Sequence, residues 1–230
     1  MKTRIADRES ALEQASEEIF SLVREKPEAA IALSAHGDCL ELYRLLSRRP
    51  ELFDRARFFA LTEFEDLSPE DARSCRSRLR KALLDTVDPG LERSVFLSAD
   101  AAEGCDAQIA QAGGLDLAVV GLGERGRVGF NEPATPFDSP THRQKLTKAT
   151  RRELAPVFGG EERVPGFGLT MGIRTIVQAR RILVIALGEE RADSVFRMLY
   201  ARDDSFVPAA FLQLPPQVSV YLDEAAAQKL

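Results

Sequence analysis

The sequence predicts an α/β protein, with residues 1–230 forming one domain around a doubly wound, mostly parallel sheet that carries helices on both faces. Three observations predict it. Short apolar runs alternate with helix-periodic segments from Ala29 to the end of the chain. Each of the longer runs empties directly into a glycine-rich or polar loop, as strands do at the carboxyl edge of a parallel sheet. No linker, repeat or low-complexity stretch interrupts the alternation, and 230 residues suffice to bury a substantial core.

The elements follow in order. Glu9–Lys26 places Leu12, Ala15, Ile19, Leu22 and Val23 at helical spacing, with Ser10 and Glu13 as a capping box and Pro27 as the stop. Ala29–Leu33 reads as a buried strand that delivers Ser34–Asp38. A helix over Cys39–Leu46 comes straight after. Strand, glycine loop and helix N-terminus is an arrangement that cradles a phosphate, which makes Gly37 and Asp38 candidate ligand contacts. Asp38 can equally cap the helix. Arg57–Leu61 is the next strand, and Thr62–Asp66 reads as a solvated acidic loop after it. Asp71–Asp85 is a helix, Ser94–Leu97 a short strand and Asp100–Gln111 another helix before Gly113 and Gly114. The centre of the chain is Leu115–Pro133. Its run Leu115–Val120 fits a strand buried on both faces, and Gly121, Gly123 and Gly126 let the backbone turn and approach a ligand. The GxGxxG spacing lies mid-chain and NEP does not open a helix, so a nicotinamide fingerprint is a poor fit. Arg181–Leu187 and Val218–Leu222 complete the strands.

Composition narrows the function. The formal charge is −5, from 31 basic and 36 acidic residues, and no basic tract stands apart, so nucleic acid is an unsuitable partner. Arg73–Lys81 reads as a solvated helix face. Cys39, Cys75 and Cys105 are far apart and only two histidines are present, which argues against structural zinc or a disulfide framework and for a reducing cytoplasm. No apolar leader or membrane-length run occurs. Nothing calls for a metal or organic cofactor.

Gly121–Pro133 resembles the glucosamine-6-phosphate deaminase/isomerase family, related to the 6-phosphogluconolactonases, whose members typically read G-x-G-x-D-G-H-I-(G/A)-F-N-E-P there. Val164–Gly172 resembles that family's VP-x-x-A-L-T-x-G segment, and Phe211–Pro216 its closing LQ-x-H-P. The resemblance covers nearly the whole chain and implies a deaminase/ribose-5-phosphate isomerase-like fold. It also implies sugar-phosphate chemistry in which the ring opens, a proton moves between C2 and C1, and ammonia leaves. Six departures or matches matter. Thr62 stands at the position of the family's C2 base, with Glu63 beside it. Arg125 and Arg127 stand at the Asp and His of ring opening, and Glu132 matches the retained Glu. Arg191 replaces a phosphate-binding Lys by another cation, whereas Pro156 falls at a phosphate-binding Arg. His142, Arg143, Lys145 and Arg151 lie in the segment where the family uses basic residues on phosphates.

Three readings follow. The first is an isomerase, deaminase or lactonase with re-assigned chemistry, with Glu132 or Glu63 as base. The second is a non-catalytic relative that binds a phosphorylated sugar or other small anion through Gly37, Asp38, Thr62, Gly123, Arg125, Gly126, Arg127, Asn131 and Arg191. The third is an interaction protein whose arginines pair with Glu132 or Glu63. A threonine hydroxyl and two guanidiniums are not general bases near neutral pH, which favours the second reading on chemistry. The oligomeric state, monomer or homo-oligomer, stays open.

Overall fold

The computed structural model describes residues 1–98, 102–201, 206–215 and 217–230. Its strands are β1 (Lys2–Ala6), β2 (Ala30–Leu33), β3 (Arg57–Ala60), β4 (Thr62–Phe64), β5 (Ser94–Val95), β6 (Leu117–Gly121), β7 (His142–Lys145), β8 (Phe167–Thr170), β9 (Arg181–Ala186) and β10 (Val218–Asp223). Seven of them form one sheet in the order β1-β10-β9-β6-β2-β3-β5, and every pair in it is parallel. The chain runs from β2 outward to β3 and β5, then returns to the other side of β2 with β6. The switch in strand order therefore lies between β2 and β6, where open parallel sheets leave a crevice at their carboxyl edge.

The helices are α1 (Arg8–Glu25), α2 (Gly37–Leu46), α3 (Cys75–Leu79), α4 (Asp85–Val87), α5 (Ala102–Gln111), α6 (Lys148–Phe158), α7 (Ile173–Val177) and α8 (Ala192–Tyr200), with a π-helical turn at Arg80–Leu84 joining α3 to α4. They cover both faces of the sheet. Ile31 and Leu33 of β2 face a core with Leu12, Ile19, Leu42 and Leu83. Ala30 and Ala32 face the opposite core, with Ile109, Ile176 and Met198. Alternate residues of one strand thus feed two cores, which is why β2 and β6, and β9 after Arg181, are apolar. Among the described residues, no helix is long and apolar enough to cross a membrane.

Several local readings change. The cap of α1 is Asp7, which accepts from Ser10 N (3.0 Å) and Ser10 Oγ (2.6 Å), in place of the Ser10–Glu13 box. The helix expected at Asp71 begins at Cys75, where Ser74 caps Ser77 N at 3.0 Å. Asp100, read as the start of a helix, lies outside the described residues. Thr62–Phe64 is no loop. It forms β4 of a second, antiparallel sheet in the order β4-β8-β7. That sheet folds over the carboxyl edge of the main one. Glycine is required at Gly168 because a Cβ there would meet the Phe130 ring at 2.5 Å.

Asp116 ties three strands together at their opposite ends. Its buried carboxylate accepts from Ala30 N (2.9 Å), Lys26 Nζ (2.9 Å) and Arg180 Nη1 (2.8 Å). Burial raises its pKa, but the Ala30 amide and the Lys26 and Arg180 charges outweigh this and hold it below the ordinary value. A depressed carboxylate contributes its stability above the unfolded pKa of about 3.9 and loses it as pH falls through the folded value. Asp116→Asn is therefore expected to be less stable than the wild type at neutral pH and to lose less on acidification below pH ~4. Urea denaturation at a series of pH values measures both.

Candidate ligand-binding site

The carboxyl ends of β2, β6 and β9 and the inner edge of β4 enclose a cavity of about 180 Å³. β2 contributes Ser34 to Gly37, where α2 begins. The N-cap of α2 is His36, which makes no side-chain capping bond, so the first amides of this ten-residue helix lack a side-chain cap. Thr62 and Phe64 form the β4 wall, with Cys75 and Arg78 behind it on α3. The loop after β6 brings Gly121, Arg127 and Phe130, and Arg191 comes from the turn after β9.

At its heart is Glu153 of α6. Its Oε2 accepts from Arg127 Nη2 at 2.8 Å and from Glu124 N at 3.0 Å, and its Oε1 accepts from Arg191 Nη1 at 2.7 Å. His36 Nε2 lies 3.8 Å from the same Oε1. Burial pushes the Glu153 carboxyl up, but the Arg127 charge, reinforced by its hydrogen bond and by Arg191, holds it well below the usual carboxylate range. Arg127 also donates to Gly129 O. Even so, Arg127 Nε, Arg191 Nε and His36 Nδ1 are buried without a hydrogen bond, although the Asp38 carboxylate stands 3.7 Å from His36 Nδ1 and 3.9 Å from Arg191 Nε. Three guanidiniums line this cavity against one carboxylate, which leaves it positive overall.

The glycine spacing after β6 serves these cations. A Cβ at Gly121 would stand 2.6 Å from the His36 ring, and one at Gly123 would run into the Arg127 guanidinium. The GxG signal read in the sequence thus seats two side chains of the chain itself.

Comparison with known proteins gives concordant results in sequence and structure. No protein-family model matches the chain. It is 37% identical over 236 residues to the glucosamine-6-phosphate deaminase of Rhodopirellula baltica, covering 98% of this chain and 94% of that protein. The chain belongs to the glucosamine-6-phosphate deaminase family. The family enzyme of Halalkalibacterium halodurans is 33% identical over 94% of this chain and 92% of its own length. A monomeric glucosamine-6-phosphate deaminase superposes with a TM-score of 0.94 at 29% identity, with both chains covered completely. The 6-phosphogluconolactonase of Leishmania guyanensis shares the fold, with a TM-score of 0.81 at 18% identity over 100% of this chain and 98% of its own.

The sequence candidates divide into two groups. Gly37, Thr62, Arg127 and Arg191 line the cavity. Asp38 stands just behind it. It does not cap α2 but accepts from Leu187 N at 3.1 Å, with His36 Nδ1 at 3.7 Å and Arg191 Nε at 3.9 Å. Burial raises its pKa against the charges of His36 and Arg191.

The remaining candidates do not line the cavity. Arg125, at the family's Asp position, has φ 60° and an exposed side chain. Gly126, at φ +76°, packs against Val207, where a Cβ would come within 2.8 Å. Asn131 is buried and donates to Val128 O and Met171 O at 2.9 Å each, bracing the loop. Glu132 accepts from Thr147 N (2.9 Å) and Thr147 Oγ1 (3.2 Å) at the start of α6. Glu63, expected in a solvated loop, is buried and accepts from Phe64 N (2.7 Å), Cys75 N (2.9 Å) and Arg76 N (2.8 Å). Neither carboxylate pairs with Arg125 or Arg127. Of the basic segment, Arg143 is bound to Glu65 through two 2.7 Å bonds, and Arg151 donates to Glu161 O.

Sequence reading missed Glu153 and Arg78. The available signal for Glu153 was its place on the inward face of α6, one turn beyond the buried Thr150. Removing this charge strands two guanidiniums. Glu153→Gln is expected to lower stability by about 3 kcal/mol, in the range for a broken buried pair. Added inorganic phosphate should restore more of the melting temperature in the variant than in the wild type. Thermal melts with and without phosphate measure the difference.

Proposed function

We propose that the cavity binds the phosphate of a phosphorylated sugar, or a closely related small anion, and that the chain does not perform the deamination for which its relatives are named. One observation carries the binding reading. Of the five buried side-chain nitrogens that make no hydrogen bond among the described residues, three, His36 Nδ1, Arg127 Nε and Arg191 Nε, belong to residues lining this one cavity. Buried donors without acceptors are costly, and a phosphate offers several acceptors to satisfy them at once. The uncapped start of α2 supports the same placement, since helix N-termini favour anions.

The chemistry supports the second half of the reading. A C2 base must accept a proton near neutral pH, and Thr62 offers a hydroxyl whose Oγ1 lies 3.4 Å from Cys75 Sγ. Glu63 and Glu132, the carboxylates that could replace a base, are both occupied by backbone amides. Glu153 is the carboxylate that lines the cavity, and it is held ionised by two arginines. It is a counterion rather than a proton carrier.

Arg191→Ala is expected to weaken inorganic phosphate and glucosamine-6-phosphate by ~1.5–3 kcal/mol, about ten- to a hundredfold, as for a lost hydrogen bond to a charged group. Titration calorimetry of the full chain and the variant reads it directly. Absence of phosphate and sugar-phosphate binding by the wild type would remove the reading.

A further inference from the structure

We infer that the cavity is built for a ligand with two separate anionic groups, a phosphorylated sugar acid, in which Arg78 receives the carboxylate while the phosphate lies among His36, Arg127 and Arg191. The inference rests on the phosphate-binding reading above and adds to it the chemistry of the ligand's other end.

Arg78 is the cavity guanidinium that does not share Glu153. It lines the cavity from α3, is only half-buried, and makes no ion pair, side-chain hydrogen bond or ring contact among the described residues. The other two cavity arginines share Glu153. Arg78 stands on a different wall, with Thr62, Phe64 and Cys75, and none of these offers it a charge. Glu63, next along β4, turns its carboxylate to the amides of Phe64, Cys75 and Arg76. A partly desolvated guanidinium without a counterion is costly, and an incoming anion relieves that cost.

The two cationic groups face one ligand space. Burial, with the Glu63 charge, pushes the Cys75 thiol up to about 12, and the guanidiniums of Arg78 and Arg127 both act on that thiol in the opposite sense. Cys75, Arg78, Arg127 and Arg191 all line the same cavity. The first group offers several donors and a helix terminus, a set suited to phosphate. The second offers a single planar fork, which matches a carboxylate. Thr62 fits the same picture. A carboxylate side chain on that wall would repel an acidic ligand end, and the chain carries a neutral hydroxyl instead.

The test uses titration calorimetry of the full chain with 6-phosphogluconate, glucose-6-phosphate and unphosphorylated gluconate. The expected result is that 6-phosphogluconate binds at least tenfold tighter than glucose-6-phosphate, with gluconate weakest. In Arg78→Gln that preference should fall to within about twofold, and Arg78→Lys, which keeps the charge, should retain part of it. Circular dichroism melts establish that both variants are folded, and the lysine variant preserves the test if the glutamine variant is not. Equal affinities for the two phosphates, or a preference that survives loss of the Arg78 charge, would overturn the inference while leaving the phosphate site standing. Failure of both phosphorylated ligands to bind would overturn the underlying reading as well.

Discussion

One ionised carboxylate, Glu153, holds the candidate site together. It joins α6 to the loop after β6 through Arg127 and the Glu124 amide, and to the turn after β9 through Arg191. Arg127 is buried and Arg191 is half-buried, so both lean on that counterion to remain in the cavity. The arrangement fixes the position of both arginines and leaves their Nε groups without a hydrogen bond. A preorganised cation pair of this kind loses little side-chain freedom when an anion arrives, which favours binding.

The remaining buried carboxylates hold architecture rather than chemistry. Asp116 ties the starts of β2, β6 and β9, Glu63 satisfies the first amides of α3, and Glu132 does the same for α6. These bonds hold the frame around the cavity without reference to any chemistry inside it. Glu132 matches the retained family residue in sequence, yet its contacts alone suffice to explain a glutamate there, because the start of α6 needs an acceptor. Membership of a family and possession of its reaction are separate matters, since chemistry belongs to the site.

The main sheet was legible because β2, β6 and, beyond Arg181, β9 are buried on both faces and therefore apolar in runs. The second sheet was not. Only Leu61 separates β3 from β4, and β7 is the polar His142–Lys145, so neither composition nor a turn announces a strand. The edge strand β1 is largely exposed and carries no apolar run. In the site, Gly37, Thr62, Arg127 and Arg191 were legible as residues that follow strands. Arg125 was misread because a left-handed φ at that position leaves its side chain in solvent. Glu153 and Arg78 were missed because they reach the cavity from helices, and the partner of Glu153 in the central motif is 26 residues away.

The central claim is that this cavity retains anions without deaminating an amino sugar phosphate. Its most direct measurement is ammonia release from glucosamine-6-phosphate by the purified full chain, set against a matched protein-free control. The account predicts no release above that control over a range of substrate concentrations. Saturable ammonia production by the wild-type chain would contradict it, and would mean that a residue other than Thr62 carries the proton from C2.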